Sequence, residues 1–283
     1  MRGKTVVITG GTSGIGREAA RQLAAKGASL VLVGRSAARC AASVAWLKER
    51  VPGAEVSTRV ADLLRLDEMR RLAADLAASL PRIDVLVNNA GAIFDRHEQT
   101  SDGLERTFAL NHMAYFVVTN LLLEKLKTAP PARIVSVASR AHTGATLDFA
   151  DLAGRDPSAK GWLAYSRSKL CNILFTAELG RRIEGSGITA NCLHPGFVAS
   201  RLGDEMGLLR RLGLQLAKRF AAISPEEGAR TLTYLAASPE VASVSGGYFA
   251  NSREVRPSAA ASDMAAARRL WQKSARLAGL PAD

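Results

Sequence analysis

Cysteine is scarce. Only Cys40, Cys171 and Cys192 occur in 283 residues, widely spaced and with no CxxC. An odd, dispersed set argues against a disulfide framework and a cysteine-rich zinc site, and it fits a reducing cytoplasm. The four histidines, His97, His112, His142 and His194, are neither paired at i, i+4 nor grouped with carboxylates, so no metal is expected. Aromatic residues make up 5% of the chain and do not alternate with basic ones, which leaves no platform for stacking nucleic-acid bases. No stretch approaches the roughly 18 uninterrupted apolar residues of a spanning helix, so no membrane span is expected. The apolar run Val6-Val7-Ile8 is too brief for a signal-peptide core and leads into glycines. Internal repeats and low-complexity segments are lacking before an alanine-rich tail that begins at about residue 257.

What is present suits a folded α/β protein. The hydrophobic share is 47% and the charged share 23%, enough for a substantial core. Lys and Arg total 38 against 26 acids, a net charge of +12. The basic residues occur at most as doublets, such as Arg70-Arg71 and Arg210-Arg211, interleaved with acids along helical segments. That distribution describes a solvated basic surface suited to polyanionic small molecules, not a nucleic-acid track.

Short β-branched runs at 5–9, 30–33, 56–60, 83–87, 133–137 and 188–193 alternate with amphipathic stretches at 16–26, 37–50, 66–80, 111–126 and 162–182. Continuous apolar strands separated by helices predict a parallel sheet covered on both faces. Ser224-Pro225-Glu226-Glu227 has the form of a capping box opening a further helix, and residues 246–249 read as a last strand.

The first strand runs into Thr9-Gly10-Gly11-Thr12-Ser13-Gly14-Ile15-Gly16, followed by a helix. Such a turn lets backbone amides at a helix N-terminus approach a pyrophosphate. An acid at the end of the second strand would hold a ribose 2′-hydroxyl and repel a 2′-phosphate. Here the sequence is Gly34-Arg35-Ser36, and Arg17 follows the glycine turn. Two guanidiniums in place of an acid favour NADP(H) over NAD(H). Tyr165 and Lys169 stand at i and i+4 on one helix face, where an ammonium favours the phenolate of a neighbouring tyrosine.

Together with Asp62-Leu63, Asn88-Asn89-Ala90-Gly91, Asn111, Ser139 and Pro195-Gly196, these motifs resemble the short-chain dehydrogenase/reductase family from residue 4 to about 250. The resemblance implies a single doubly wound Rossmann-type domain over residues 1–256, with about seven parallel strands and a helical tail at 257–283 packed on it. It implies Tyr165 as general acid, Ser139 as a hydrogen-bond donor to the same substrate oxygen, and Lys169 as the group that depresses the Tyr165 pKa and holds the nicotinamide ribose. Asn111 is implied to anchor a water relay. The cofactor would lie against Gly10, Thr12, Ser13, Gly14, Ile15, Gly16, Arg17, Arg35, Asp62, Leu63, Asn89, Ala90, Gly91, Tyr165, Lys169, Pro195, Gly196, Val198 and Ser200. Ala138 replaces the first of two adjacent serines seen in many relatives, and Ser136 alternates to another part of the strand.

The spacing of Ser139 and Tyr165, the segment Leu147-Asp148-Phe149-Ala150-Asp151-Leu152 and the tail Arg269-Leu270-Trp271 are similar to the retinol dehydrogenase and WW-domain oxidoreductase branch. That branch implies an apolar aldehyde, ketone or alcohol as small-molecule substrate, without implying a retinoid. Neither the N-terminal membrane helix nor the WW domain of some members is evident. Residues 200–222, rich in leucine and interrupted by Arg210-Arg211 and Lys218-Arg219, form either a lid over an apolar ligand or a packing surface, and a homodimer stays open. The competing class is a non-catalytic NADP(H)-sensing regulator on the same fold. Such proteins typically lack the Tyr or the Lys, and both are present here.

Overall fold

The computed structural model describes residues 1–198 and 223–282. Strands β1 (Thr5–Thr9), β2 (Ser29–Gly34), β3 (Val56–Val60), β4 (Val85–Asn88), β5 (Ala132–Val137), β6 (Ile188–His194), β7 (Tyr248–Ala250) and β8 (Arg253–Glu254) form one sheet in the order β3-β2-β1-β4-β5-β6-β7-β8. All neighbouring pairs are parallel except β7 with β8. The eighth strand goes beyond the seven or so expected. It is a two-residue return at the edge, too short to show any period, and Asn251 and Ser252 turn into it with positive φ.

Helices α1 (Gly14–Ala25), α2 (Ala37–Arg50) and α3 (Leu66–Ser79) alternate with the first strands. Then come a single turn, α4 (Arg106–Phe108), α5 (Ala114–Lys127), α6 (Trp162–Arg182), α7 (Pro225–Ala237) and α8 (Met264–Ala278). Because side chains of a doubly covered sheet alternate between two apolar layers, β1 sends Val7 to one core and Val6 and Ile8 to the other. One core gathers residues of α3, α5, α6 and α8, and the other residues of α1 and α7. The α7 capping box forms as expected: Ser224 Oγ accepts from Glu227 N–H at 3.1 Å, and the Glu227 carboxylate accepts from Ser224 N–H at 3.4 Å.

The stretch expected as one helix from residue 111 is interrupted. A π-helical turn, Ala109–Met113, precedes α5 and carries the buried Asn111 and His112. The chain from β1 goes outward to β2, whereas β4 lies on the other side of β1, so the direction of winding reverses between β1 and β4. In open α/β sheets the crevice at the carboxyl ends of such strands is where ligands bind.

Candidate active site

The turn after β1 is held by threonine and asparagine. Thr9 Oγ1 donates to Val87 C=O at 3.2 Å and accepts from Asn89 and Ala90 N–H at 2.9 and 3.2 Å. Asn89 Nδ2 donates to the Thr9 and Gly10 carbonyls at 2.9 and 3.1 Å. At Gly16 a Cβ would stand 2.6 Å from Gly10 O and press into the Asn89 amide, so only glycine lets α1 start against the turn. The Ser13 hydroxyl makes no capping bond at the head of α1, and no acid occupies its first turn. First-turn amides without a side-chain cap, lining a cleft, form an anion site. The chain therefore fits a dinucleotide pyrophosphate here.

At the end of β2, Arg35, Ser36 and Arg39 line the same cleft. Gly34 has no room for a side chain: a Cβ would lie 2.7 Å from Thr12 Cγ2 and 3.0 Å from Cys40 Sγ. Packing of the turn against α2, where Ser43 Oγ donates to Thr12 C=O at 3.1 Å, thus excludes an acid from that position. Arg17 does not line the cleft, contrary to the expectation. Its guanidinium lies 4.3 Å from the centre of the Trp46 ring, a cation–π contact that draws it toward α2. Arg39, one turn into α2, is a second basic residue on that wall beside Arg35.

A cavity of about 800 Å³ continues from this end, past Asp62, Leu63, Asn89, Ala90 and Gly91, to Ser139, Tyr165 and Lys169. Pro195, Gly196 and Val198 close its far side. Of the expected cofactor residues, Ser200 and the proposed lid at 200–222 lie outside the described residues. The sheet and α6 position Ser139, Tyr165 and Lys169. Ser139 follows β5 directly, and its Oγ accepts from Ala141 N–H at 3.1 Å. Tyr165 and Lys169 sit in the first turns of α6, both buried. Lys169 Nζ donates to Val137 C=O at 2.9 Å and stands 5.6 Å from the centre of the Tyr165 ring.

Electrostatics here differ from the expectation that Lys169 lowers the Tyr165 pKa. Burial dominates both groups. The phenol is pushed up to about 12, with a partial offset from the Ser139 hydroxyl, and the ammonium is driven down to about 7. In a water-poor pocket each charged form loses hydration, and the lysine finds a carbonyl in place of a carboxylate.

Asn111 does not line the cleft. Its Oδ1 accepts from Ala92 N–H at 2.9 Å, and its Nδ2 donates to Ala92 C=O and Ser168 Oγ, both at 3.0 Å. The side chain thereby ties the π-helical turn to the cleft wall and to α6. It stays close to the lysine, since a Cβ on Gly91 would lie 3.0 Å from Asn111 Oδ1 and 3.6 Å from Lys169 Nζ. Asn172, one turn beyond Lys169, donates to the same Val137 carbonyl at 3.3 Å, a partner the sequence did not reveal.

Beyond Tyr165 the cleft walls are Ile93, Phe94, Trp162 and Phe197, with Arg140 and His194 among them. The Trp162 ring lies 5.5 Å from that of Tyr165 and is 61% exposed, presenting a wide apolar face at the mouth. Ser136 is buried in the sheet away from the cleft. Cys192 is likewise buried, its thiol pushed up to about 12, which makes it a packing residue and no nucleophile. Among the described residues no group of three or more His, Cys, Asp or Glu could hold a metal, and no helix is long and apolar enough to cross a membrane.

A family model for short chain dehydrogenases matches residues 4–209. Retinol dehydrogenase 13 of Homo sapiens is 40% identical over 99% of this chain and 86% of its own length. A crystallised, uncharacterised protein from Mycobacterium paratuberculosis superposes with a TM-score of 0.80 at 31% identity, covering 100% of this chain and 96% of that one. The RhlG protein of Pseudomonas aeruginosa in complex with NADP gives a TM-score of 0.71 at 26% identity, over 88% and 94%.

Proposed function

The chain belongs to the short-chain dehydrogenase family and is retinol dehydrogenase-like, and from that premise we propose an NADP(H)-dependent oxidoreductase acting on the carbonyl or alcohol carbon of an apolar small molecule. The observation that carries the reading is the continuity of one cleft from the uncapped head of α1 to Ser139, Tyr165 and Lys169. The name of the human relative, a retinol dehydrogenase, supports an alcohol/carbonyl pair. The apolar rim of Phe94, Trp162 and Phe197 supports an apolar substrate body. Arg35 and Arg39, with no acid on Gly34, support a 2′-phosphate.

Bound in the cleft, the nicotinamide would supply or take up the hydride. Tyr165 donates its proton to the carbonyl oxygen as that oxygen becomes an alkoxide, and burial keeps the phenol loaded at neutral pH. Ser139 Oγ accepts from Ala141 N–H, and its own hydrogen, which meets the Tyr165 phenol oxygen, would turn to the same carbonyl oxygen when substrate is bound. Lys169, its pKa driven down to about 7, brings a titratable positive charge to within 5.6 Å of the centre of the Tyr165 ring, near the phenolate that proton transfer would leave. Trp162 and Phe94 exclude water from the reacting carbon. The test is turnover on a panel of aliphatic and aromatic aldehydes, followed at the nicotinamide absorbance with NADPH and NADH in parallel. A clear excess of kcat/KM with NADPH is expected. Cofactor binding without turnover on any member rejects the enzyme reading, and a preference for NADH rejects the pocket assignment.

A further inference from the structure

We propose that His142 is a positioning residue that fixes the backbone of the catalytic Ser139 and ties it to the C-terminal segment at Ser258, an inference that rests on the reductase reading above. His142 is 2% exposed and lies behind the cleft, outside its lining. Its Nδ1 is 2.7 Å from the Ser139 carbonyl oxygen and its Nε2 is 3.2 Å from the Ser258 amide nitrogen. A carbonyl can only accept and an amide N–H can only donate. One tautomer satisfies both, with the proton on Nδ1 and the lone pair on Nε2.

The surroundings hold that tautomer. Burial pushes the imidazole pKa down, and an imidazolium would have to surrender the Ser258 N–H. Tyr248 of β7 meets the ring edge-on at 5.3 Å, and the charged or titratable neighbours are Arg140 before it and His194 of β6. No acid in that set would favour the charged ring. The Ser139 carbonyl accepts a second bond, from His142 N–H at 3.2 Å, while Ala141 N–H holds the hydroxyl. The turn 140–142 thus holds both the carbonyl and the hydroxyl oxygen of Ser139, and the His142 ring links that turn to Ser258. The segment after β8 is brought to this place by Val255 N–H donating to Tyr248 C=O at 2.8 Å.

Asparagine and glutamine separate the two contacts, because an Asn amide reaches the place of Nδ1 and a Gln amide that of Nε2. His142→Asn keeps a donor for Ser139; His142→Gln keeps an acceptor for Ser258 and loses the Ser139 bond. With the full chain, NADPH and the aldehyde panel, kcat should fall roughly 10- to 100-fold in His142→Gln and stay within about threefold in His142→Asn. The Kd for NADPH should be unchanged in both, and the Tm should fall by a similar amount in each, since each variant leaves one buried polar group without its partner. Histidine 15N spectra of the wild type should show a protonated Nδ1 and a bare Nε2 at neutral pH. Wild-type kcat in His142→Gln, equal losses of kcat in both variants, or the opposite tautomer would each overturn the positioning role alone. A wild type that binds NADPH and reduces no aldehyde overturns the reductase reading, and this role with it.

Discussion

Tyr165 and Lys169 respond to the same burial in opposite directions, and each response can be measured. Tyr165→Phe removes the proton donor and nothing that would grip a phosphate, so turnover should fall by about 10²-fold or more while the Kd for NADPH stays within about twofold. Activity within a few-fold of wild type would reject Tyr165 as the acid. For Lys169 the folded chain holds a proton only below about 7, against 10.5 ordinarily. Between those values the unfolded chain binds more protons than the native one, so native stability rises with pH across the window and is lowest below it. Lys169→Met removes that penalty. In the absence of cofactor the variant should be more stable than wild type at pH 7 by on the order of 1–3 kcal/mol, and the gap should close toward pH 10. Urea titrations at both values decide the matter; a gap that widens with pH refutes the assignment. At the other end of the cleft, Arg35→Ala should weaken NADPH by about 1.5–3 kcal/mol, roughly 10- to 150-fold, and NADH hardly at all. Because Arg39 lines the same wall, the Arg35/Arg39 double variant should bring the two cofactors close to parity in kcat/KM, whereas Arg17→Ala should leave the ratio alone.

Elements differ in how plainly the sequence announces them. The central strands β1, β2 and β4 carry near-continuous apolar runs, and β1, β3 and α2 keep the bounds their patterning suggests. The π-helical turn at Ala109–Met113 is invisible to a 3.6-residue period, since the same residues on the same face serve either geometry. The site divides in the same way. Glycines, Asn, Ser, Tyr and Lys at fixed spacings are conspicuous, whereas Phe94, Trp162 and Phe197 read like any core residues until the fold sets them at one cleft. Arg17, adjacent to the glycine turn in sequence, lies over Trp46 and outside the cleft lining, because adjacency in sequence does not set the direction of a side chain. Nor does amphipathicity say where α8 docks. Its Trp271 packs within 5.0 Å of the Phe116 ring of α5 and stacks on Phe175 of α6 at 5.8 Å, with the Arg182 guanidinium 4.3 Å from its centre. Ser274 meets the buried His112 Nε2 at 2.9 Å, next to Asn111. Trp271→Ala should therefore cost about 3–5 kcal/mol of stability. Trp271→Phe should cost much less, since it keeps a ring and removes a buried indole N–H that has no partner. Equal Tm values for wild type and Trp271→Ala would show that α8 contributes little.

The molecule as a whole carries +12, and its proposed ligand is a polyanion. Charge of one sign spread over a surface raises the encounter rate of the opposite sign, and salt removes that advantage over a Debye length of about 10 Å at 0.1 M. The dispersion of the basic residues matters, because scattered charges steer an approaching dinucleotide without gripping it at any one place. Association should therefore carry most of the salt dependence, and dissociation should carry the part that belongs to Arg35 and Arg39 in the cleft. Stopped-flow fluorescence of NADPH binding between about 0.02 and 0.3 M salt should show kon falling by about tenfold, with a shallower fall for NADH, which lacks the 2′-phosphate. In the Arg35/Arg39 double variant, which keeps +10 by removing two of the twelve net charges, the slope of kon should barely change while koff for NADPH rises. If salt instead acts mainly on koff in the wild type, or if the double variant loses the slope of kon entirely, attraction resides in those two arginines and the surface charge has no part in capture.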